Sequence, residues 1–289
     1  MKIIDAHLHM NKHEKFDWLC RESGNENSFE WLTGCFDELE IKGCVVMGST
    51  RLNNEPTEAG MFNLNGQADP ANYTYPPNVA FCAGVDSKGL VPELRERTLY
   101  NLEKAARCAS CVGFKIYLGY QPVYADDPLY HPVYELALKL GLTVVFHTGD
   151  TAVPTGRLRY SHPLTVDDAA VSFPDLRMVI AHFGNPWMLD AAEVAKKNDN
   201  VYIDLSGLAA GRVDVNGFTK KYCGYVEQLK TWLSYLDRWD KVMYGTDWPL
   251  VDPGTYMKLI SSLVPEEERE RVFYDNALSA FPGLKEILK

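Results

Sequence analysis

M-K-I-I-D-A-H-L-H, residues 1–9, is an apolar stretch typical of a β-strand, and it ends in two histidines. Because side chains alternate between the two faces of a strand, we expect His7 and His9 to point the same way. Two imidazoles on one face at a strand end are able to hold one metal ion. An H-x-H alone also describes a pair of ordinary histidines, so its meaning depends on the rest of the chain.

This stretch is the first of eight short apolar runs, most of them about 30 to 40 residues apart, a spacing that suits a strand, a helix and two loops per unit. The runs are continuous rather than alternating, which indicates parallel strands covered on both faces. Helical patterns of apolar residues lie between them. The eight runs are residues 2–9, 43–48, 79–85, 112–117, 142–147, 178–182, 201–205 and 242–247.

We therefore predict an α/β fold, a single (β/α)8 TIM barrel that forms one domain over residues 1–289. An open doubly wound sheet is the alternative, but such sheets favour a glycine-rich phosphate loop, and neither G-x-G-x-x-G nor G-x-x-x-x-G-K occurs in the sequence. Two connections are long for a compact domain, residues 11–27 and 49–78. Both are predicted to rise from the face where active sites lie, as lids or binding segments.

Histidines and one acid fall at the ends of several predicted strands. His147 and His182 end the fifth and sixth runs, and Asp247 ends the eighth, as His7 and His9 end the first. In a closed barrel the carboxyl ends of the strands form a ring around one mouth. The sequence therefore predicts that four imidazoles and one carboxylate meet there, a set suited to a divalent metal ion.

The composition narrows the class of protein. The chain has 289 residues, of which 46% are hydrophobic and 24% charged, with a formal net charge of −10. An acidic chain argues against sequence-independent binding of nucleic acid, and no apolar run is long enough to span a membrane. Because the N-terminus lacks the pattern of a signal peptide, we expect a cytoplasmic protein.

The seven cysteines are expected to be reduced thiols, although Cys108 and Cys111 form a C-x-x-C that leaves redox or zinc chemistry open.

Taken together, these stretches resemble the amidohydrolase superfamily of metal-dependent barrel enzymes. The similarity is to the amidohydrolase-related branch that includes amino-carboxymuconate-semialdehyde decarboxylase and small lactonases. The matching stretches occur in the family's order and span nearly the whole chain. They are D-A-H-L-H (5–9), G-F-K-I-Y (113–117), V-F-H-T-G (145–149), I-A-H-F-G (180–184), Y-G-T-D-W-P (244–249) and D-N-A-L-S-A-F (275–281).

The resemblance implies a role for each matching residue. One divalent metal would be bound by His7, His9, His147 and Asp247, with a water completing the site. His182 would bind a second metal, or would form a hydrogen bond to the water and the reacting oxygen. Imidazole and carboxylate ligands suit Zn²⁺ best, with Mn²⁺, Fe²⁺ and Co²⁺ as alternatives.

Lys115 leaves the number of metal ions open. It lies at the end of the fourth strand, where some branches of the superfamily carry a carboxylated lysine that bridges two metals. Without carboxylation, Lys115 would pair with Asp247 or bind an anionic substrate. We favour one ion over two. Tyr117, Arg157 and Arg159 are further candidates for substrate binding, because Tyr117 shares a strand face with Lys115 and either arginine is able to clamp a carboxylate.

Two kinds of chemistry fit the same residues. The first is hydrolysis of a small-molecule ester, lactone or amide by a metal-activated water, with Asp247 as general base and His182 as a second catalytic residue. The second is non-oxidative decarboxylation of a small unsaturated or aromatic carboxylic acid. We favour hydrolysis, which is the commoner chemistry of the superfamily. A metal-binding barrel without turnover is a third reading. We expect a small-molecule substrate, no nucleic acid or membrane partner, and an oligomeric state compatible with a homodimer.

Overall fold

The computed structural model describes residues 1–10, 14–48 and 78–289 of the chain. The predicted connection 49–78 therefore lies outside the described residues except for its last position, and so do residues 11–13 of the first long connection.

The described chain contains one eight-stranded sheet whose strands follow one another in sequence order, and every neighbouring pair in that order is parallel. Helices lie between the strands in every connection that the structure describes in full, so the predicted (β/α)8 TIM barrel is confirmed. The strands are β1 (Ile3–Leu8), β2 (Ile41–Met47), β3 (Val79–Val85), β4 (Cys111–Tyr117), β5 (Thr143–His147), β6 (Met178–Ile180), β7 (Val201–Asp204) and β8 (Val242–Met243).

The α-helices begin and end at recognisable signals. The Ser28 side chain caps the second helix by accepting a hydrogen bond from Trp31 N, and the fourth ends at Gly141 in a left-handed conformation (φ 68°). The helices are α1 (Glu14–Glu22), α2 (Phe29–Leu39), α3 (Arg95–Ala106), α4 (His131–Leu140), α5 (Leu164–Ser172), α6 (Met188–Lys197), α7 (Val215–Lys221), α8 (Cys223–Leu236), α9 (Pro253–Ser261), α10 (Asn276–Ala280) and α11 (Leu284–Ile287).

The barrel closes between β1 and the irregular segment 244–248 that follows β8. Three backbone hydrogen bonds join them: Ala6 N to Tyr244 O at 3.0 Å, Asp247 N to His7 O at 2.8 Å, and His9 N to Trp248 O at 2.7 Å. The eighth strand was predicted over 242–247, but only Val242 and Met243 are regular strand. Closure therefore depends on a non-repetitive segment that contains Asp247.

Three further features differ from the sequence prediction. The connection 11–27 contains α1, so it is not a plain loop, and α9 was not predicted although Asp252 and Pro253 form a typical helix start, with the Asp252 side chain accepting from Thr255 N at 2.8 Å. The sixth strand ends at Ile180, because His182 adopts a left-handed conformation that no strand accommodates.

The barrel interior is filled by small and branched side chains such as Ile4, Val45 and Val145. At the amino-terminal end of the strands, Phe281 and Leu284 from the C-terminal helical region join the same buried cluster and are fully inaccessible. The C-terminal helices therefore form the floor of the barrel and leave the opposite end for the site.

All seven cysteines are free thiols, including Cys108 and Cys111, and burial raises the pKa of Cys111 to about 12. These features support the expectation of reduced cysteines. Within the described residues, no helix combines the length and the apolar character needed to cross a bilayer.

Truncation of the floor should destabilise the barrel. We expect Phe281→Ala to lower the free energy of unfolding by about 3–5 kcal/mol, because it leaves a cavity among fully buried neighbours. Urea denaturation followed by circular dichroism measures the change. Leu140→Ala, at a side chain that is 37% exposed, is the matched control and should change stability by less than about 1 kcal/mol. Equal effects of the two substitutions would contradict the assignment of the floor.

Candidate metal centre

Four strand ends bring the candidate side chains to the carboxyl-terminal mouth of the barrel. His7 lies in β1, His147 ends β5, His182 follows β6, and Asp247 follows β8. Among the described residues, one ligand atom each from His7, His182 and Asp247 lies within 4.8 Å of the others, the one cluster of its kind in that part of the chain. The three groups are therefore close enough to share one cation.

Asp204 at the end of β7 fixes the tautomer of His7. The Nδ1 atom of His7 lies 2.8 Å from Asp204 Oδ2, and a carboxylate accepts, so Nδ1 carries the proton and donates it. The lone pair of His7 therefore lies on Nε2, which is buried and has no hydrogen-bond partner. This arrangement, a carboxylate behind a histidine that faces a site, is typical of metal-binding imidazoles.

Ser206 fixes the tautomer of His182 in the same way. The Ser206 hydroxyl donates its only proton to Asp204 Oδ1, so its oxygen accepts from His182 Nδ1 at 2.9 Å. The carbonyl oxygen of Ser206, 3.3 Å from the same nitrogen, is also an acceptor. His182 Nδ1 therefore carries the proton, and the lone pair lies on Nε2.

His147 presents a lone pair to the same region. Its Nε2 lies 2.8 Å from the carbonyl oxygen of Asp150 and must donate to it, which leaves Nδ1 without a proton. This Nδ1 lies 3.2 Å from His182 Nε2. Two lone pairs thus face each other across a buried contact, which is unfavourable until a cation or a proton lies against them.

Protonation of these imidazoles is opposed by their surroundings. Burial, followed by the charge of Lys115, lowers the pKa of His147 to about 3 and holds the pKa of His7 well below its usual range. Burial also holds the pKa of His182 well below normal, with the neighbouring His7 as the next cause. At neutral pH the three rings are uncharged, which is the form that binds metals.

These observations test whether the residues fit a divalent metal ion. His7 Nε2 and Asp247 Oδ1 are buried acceptors without a donor, and His182 Nε2 and His147 Nδ1 face each other. Unsatisfied buried acceptors are costly, and nitrogen and carboxylate oxygen are the donor atoms that zinc and similar ions prefer. The site therefore fits a divalent cation.

His9 lies at the edge of this cluster. Its Nε2 is 3.1 Å from Asp247 Oδ1, its ring centroid is 5.5 Å from that of His7, and its ring stacks on Phe16 of α1 at 5.6 Å. Its Nδ1 is buried without a hydrogen-bond partner. His7, His182 and Asp247 thus form a central trio. His9 contacts this trio at Asp247, and His147 contacts it at His182.

Lys115 points into the barrel from β4 and is completely buried. Its Nζ has no hydrogen-bond partner and lies 5.3 Å from the centroid of the Tyr117 ring. Within the described ranges, no ion pair joins Lys115 to Asp247. Burial lowers the pKa of Lys115 to about 8, although the charges of Asp204 and Asp247 act in the opposite direction.

The three other predicted substrate-binding residues lie farther out. The Tyr117 hydroxyl donates to Gly48 O at 2.7 Å, so only the ring of Tyr117 faces His147, at a centroid distance of 6.5 Å. Arg157 and Arg159 are exposed on the loop after β5, and the guanidinium of Arg159 packs on the ring of Tyr160 at 4.7 Å.

Unusual backbone geometry holds the site together. His182 and Asp247 are both left-handed, with φ of 61° for each, a conformation that costs free energy for residues other than glycine. The His182 amide donates to Asp204 Oδ1 at 3.0 Å, which helps to hold it there. Gly207, with φ of 66°, lies so close that an added Cβ would be 2.8 Å from His182 Nδ1 and 3.0 Å from Asp247 Oδ2.

Asp204 ends the seventh predicted strand, which made it a candidate for orienting a ligand histidine or for contacting substrate, whereas Ser206 and Gly207 were not predicted as site residues. The available signal was D-L-S-G at 204–207, in which two small residues follow a strand that ends in an acid. A small hydroxyl residue at such a position is able to link the acid to a neighbouring imidazole.

Comparison with known proteins places the chain in a family. The family model described as amidohydrolase matches residues 81–283, more than half of the sequence, and the chain belongs to this family. A comparison with curated proteins finds no match.

Solved structures with the same fold include both hydrolases and decarboxylases. A probable 2-pyrone-4,6-dicarboxylic acid hydrolase from Acinetobacter baumannii, with citric acid bound, has a TM-score of 0.63 and 17% identity over 98% of this chain and 100% of that one. A 2,6-dihydroxybenzoate decarboxylase from Rhizobium has a TM-score of 0.66 and 13% identity over 97% and 98%. A dihydroxybenzoic acid decarboxylase from Polaromonas, with bound manganese and the inhibitor 2-nitroresorcinol, has a TM-score of 0.60 and 15% identity over 97% and 96%. At these identities the similarity shows the fold.

The tight packing at Gly207 leads to a test. Gly207→Ala should lower the affinity for Zn²⁺ about tenfold or more, because the new Cβ displaces His182 and Asp247. Gly141→Ala is the matched control, since Gly141 has nearly the same φ (68°) but no atom within 4 Å of the added Cβ. Both variants should lose about 1–2 kcal/mol of stability from backbone strain. Isothermal titration with Zn²⁺ separates the two effects, and equal affinities would show that crowding at Gly207 is harmless.

Proposed function

We propose that the protein is a metal-dependent hydrolase of a small-molecule ester, lactone or amide. The observation that carries the proposal is the convergence of unpartnered lone pairs on His7, His182 and His147 with the unpartnered Asp247 Oδ1. Membership of the amidohydrolase family supports it, and a decarboxylase of the same fold with bound manganese supports the dependence on a metal.

We propose that His7, His182 and Asp247 bind one divalent cation, with His147 and His9 placed to complete the site. Zinc suits the donor atoms best, with manganese, iron or cobalt as alternatives. When bound, such a cation lowers the pKa of water from about 15.7 to about 7 and polarises a carbonyl group. In this proposal His182 is a ligand of the single cation. The sequence had predicted that it binds a second metal or forms a hydrogen bond to the water and the reacting oxygen.

Asp247 would act as the general base. Its Oδ1 lies 3.1 Å from His9 Nε2 and 3.6 Å from His7 Nε2, and it has no hydrogen-bond donor, so it is free to accept the proton of the attacking water. His182 would bind the cation through Nε2, since Ser206 keeps the opposite nitrogen protonated.

A lysine inside the barrel and an arginine at its mouth would bind an anionic substrate. Lys115 is completely buried and its Nζ has no hydrogen-bond partner, so we propose that it stabilises negative charge that forms at the site. From the loop after β5, Arg157 or Arg159 would bind a substrate carboxylate at the mouth. Tyr117 would present its ring to an apolar part of the substrate, because its hydroxyl is already bonded to Gly48.

The second candidate is a non-oxidative decarboxylase of a small unsaturated or aromatic acid. It is favoured by the number of decarboxylases among the structures of the same fold. It would use the same ligands and the same cations at Lys115 and the mouth, so the distinction rests on the product.

Removal of metal provides the first test. Dialysis against a chelator should lower thermal stability, and Zn²⁺ or Mn²⁺ should restore it by about 2.7 kcal/mol when free metal is 100 times its Kd. Differential scanning calorimetry and elemental analysis measure the gain and the stoichiometry, and we expect about one ion per chain. Two ions, with one lost in Lys115→Ala, would contradict a single-ion site and indicate a carboxylated lysine.

An activity screen decides the reaction. Metal-loaded protein should open lactones or cleave esters without releasing carbon dioxide from aromatic acids, and Asp247→Asn should lower kcat about 10²- to 10⁴-fold. Asp240→Asn, which removes an acid paired with Arg238 at 3.0 Å, is the matched control and should leave kcat unchanged. Release of carbon dioxide instead of hydrolysis would favour the decarboxylase. Binding of carboxylates without any turnover would indicate a barrel that only binds metal.

A further inference from the structure

Asp5 is a buried carboxylate, two residues before His7, that the proposed chemistry does not use. It is completely inaccessible and lies on β1, next to the irregular segment 244–248 that closes the barrel. A buried acid must have its oxygens satisfied by donors, so its partners show what it holds in place.

The partners of Asp5 come mainly from the residue before Asp247. Asp5 Oδ1 accepts from Thr246 N at 3.0 Å and from His7 N at 3.2 Å, and Asp5 Oδ2 accepts from the Thr246 hydroxyl at 2.6 Å. The oxygen of the same hydroxyl accepts from Trp248 N at 2.9 Å. One carboxylate and one hydroxyl thus bond to the backbone on both sides of Asp247.

These hydrogen bonds lie on both sides of Asp247, which has an unfavourable backbone conformation. Asp247 is left-handed, and its own amide donates to His7 O of β1 at 2.8 Å. Without fixed neighbours, the chain at 246–248 would be free to relax toward ordinary φ values and turn the carboxylate away from His7 and His9. Because β8 is only two residues long, the regular sheet does not reach far enough to prevent this.

We propose that Asp5 and Thr246 form a positioning clamp that holds Asp247 in its left-handed conformation and aims its carboxylate at the metal site. The inference rests on the proposed metal centre for its functional consequence, whereas the conformational part concerns the metal-free chain. Thr246 is the residue to test, because its hydroxyl both donates to Asp5 and accepts from Trp248.

The test compares Thr246→Val with Thr246→Ser. Valine keeps the shape of threonine but removes the hydroxyl, whereas serine retains it. Thr143→Val is the matched control, since the Thr143 hydroxyl is equally buried and donates to Ala280 O near the floor, far from the site along β5. All four proteins are compared for metal-free stability, for Zn²⁺ affinity by isothermal titration, and for the visible absorption spectrum of the Co²⁺-loaded form.

We expect Thr246→Val to bind Zn²⁺ about 10- to 100-fold more weakly and to change the Co²⁺ spectrum. Thr246→Ser should remain within about threefold of the parent, and Thr143→Val should lose stability without losing affinity. In a crystal structure of metal-free Thr246→Val, the φ of Asp247 or the distance from its Oδ1 to His9 Nε2 should differ from the parent. Unchanged Asp247 geometry in that structure would overturn the clamp, whether or not the parent binds metal. Failure of the parent to bind Zn²⁺, Mn²⁺ or Co²⁺ would instead refute the proposed function.

Discussion

The site depends on how the barrel closes. Seven of the eight strand junctions are parallel pairings between two defined strands, but the eighth joins β1 to residues 244–248 by three backbone bonds and the side chain of Asp5. A regular ladder would place successive side chains on alternate faces and would fix their direction by the pleat. An irregular segment escapes this constraint, so Asp247 is able to face His7 and His9 while its neighbours Thr246 and Trp248 remain fully buried. The hydrogen bonds that close the barrel therefore also orient Asp247.

Asp204, at the end of β7, has a comparable role in the site. One of its oxygens accepts from His7, and the other accepts from the His182 amide, the Ser206 amide and the Ser206 hydroxyl. A single carboxylate therefore orients two imidazoles, that of His7 directly and that of His182 through the Ser206 hydroxyl. Because the two Nδ1 protons point toward Asp204 and Ser206, the two Nε2 lone pairs point away from them. Buried imidazoles held neutral in this way are preorganised ligands that need little rearrangement on binding.

The sequence predicted the architecture more completely than the geometry of the site. Continuous apolar runs such as β3, predicted over 79–85 and found at Val79–Val85, report burial on both faces, and burial decides the fold class. The same patterns placed His182 and Asp247 inside strands, whereas both lie in left-handed turns, because hydrophobicity carries no information about φ. The sequence also did not predict that His7, His182 and Asp247 form the central trio, or which nitrogen of each imidazole carries the proton. Both depend on contacts between residues far apart in the chain, such as Ser206 with His182, which is found only once the fold has brought β6 and β7 together.

The floor of the barrel has a consequence for how the chain acquires its structure. Phe281 and Leu284 seal the interior, yet they follow all eight strands in chain order. During synthesis from the N-terminus, the strands would emerge from the ribosome before the side chains that close their lower end. The nascent barrel would expose apolar surface in that interval, which is the period when a partly folded chain is most prone to aggregate or to need a chaperone.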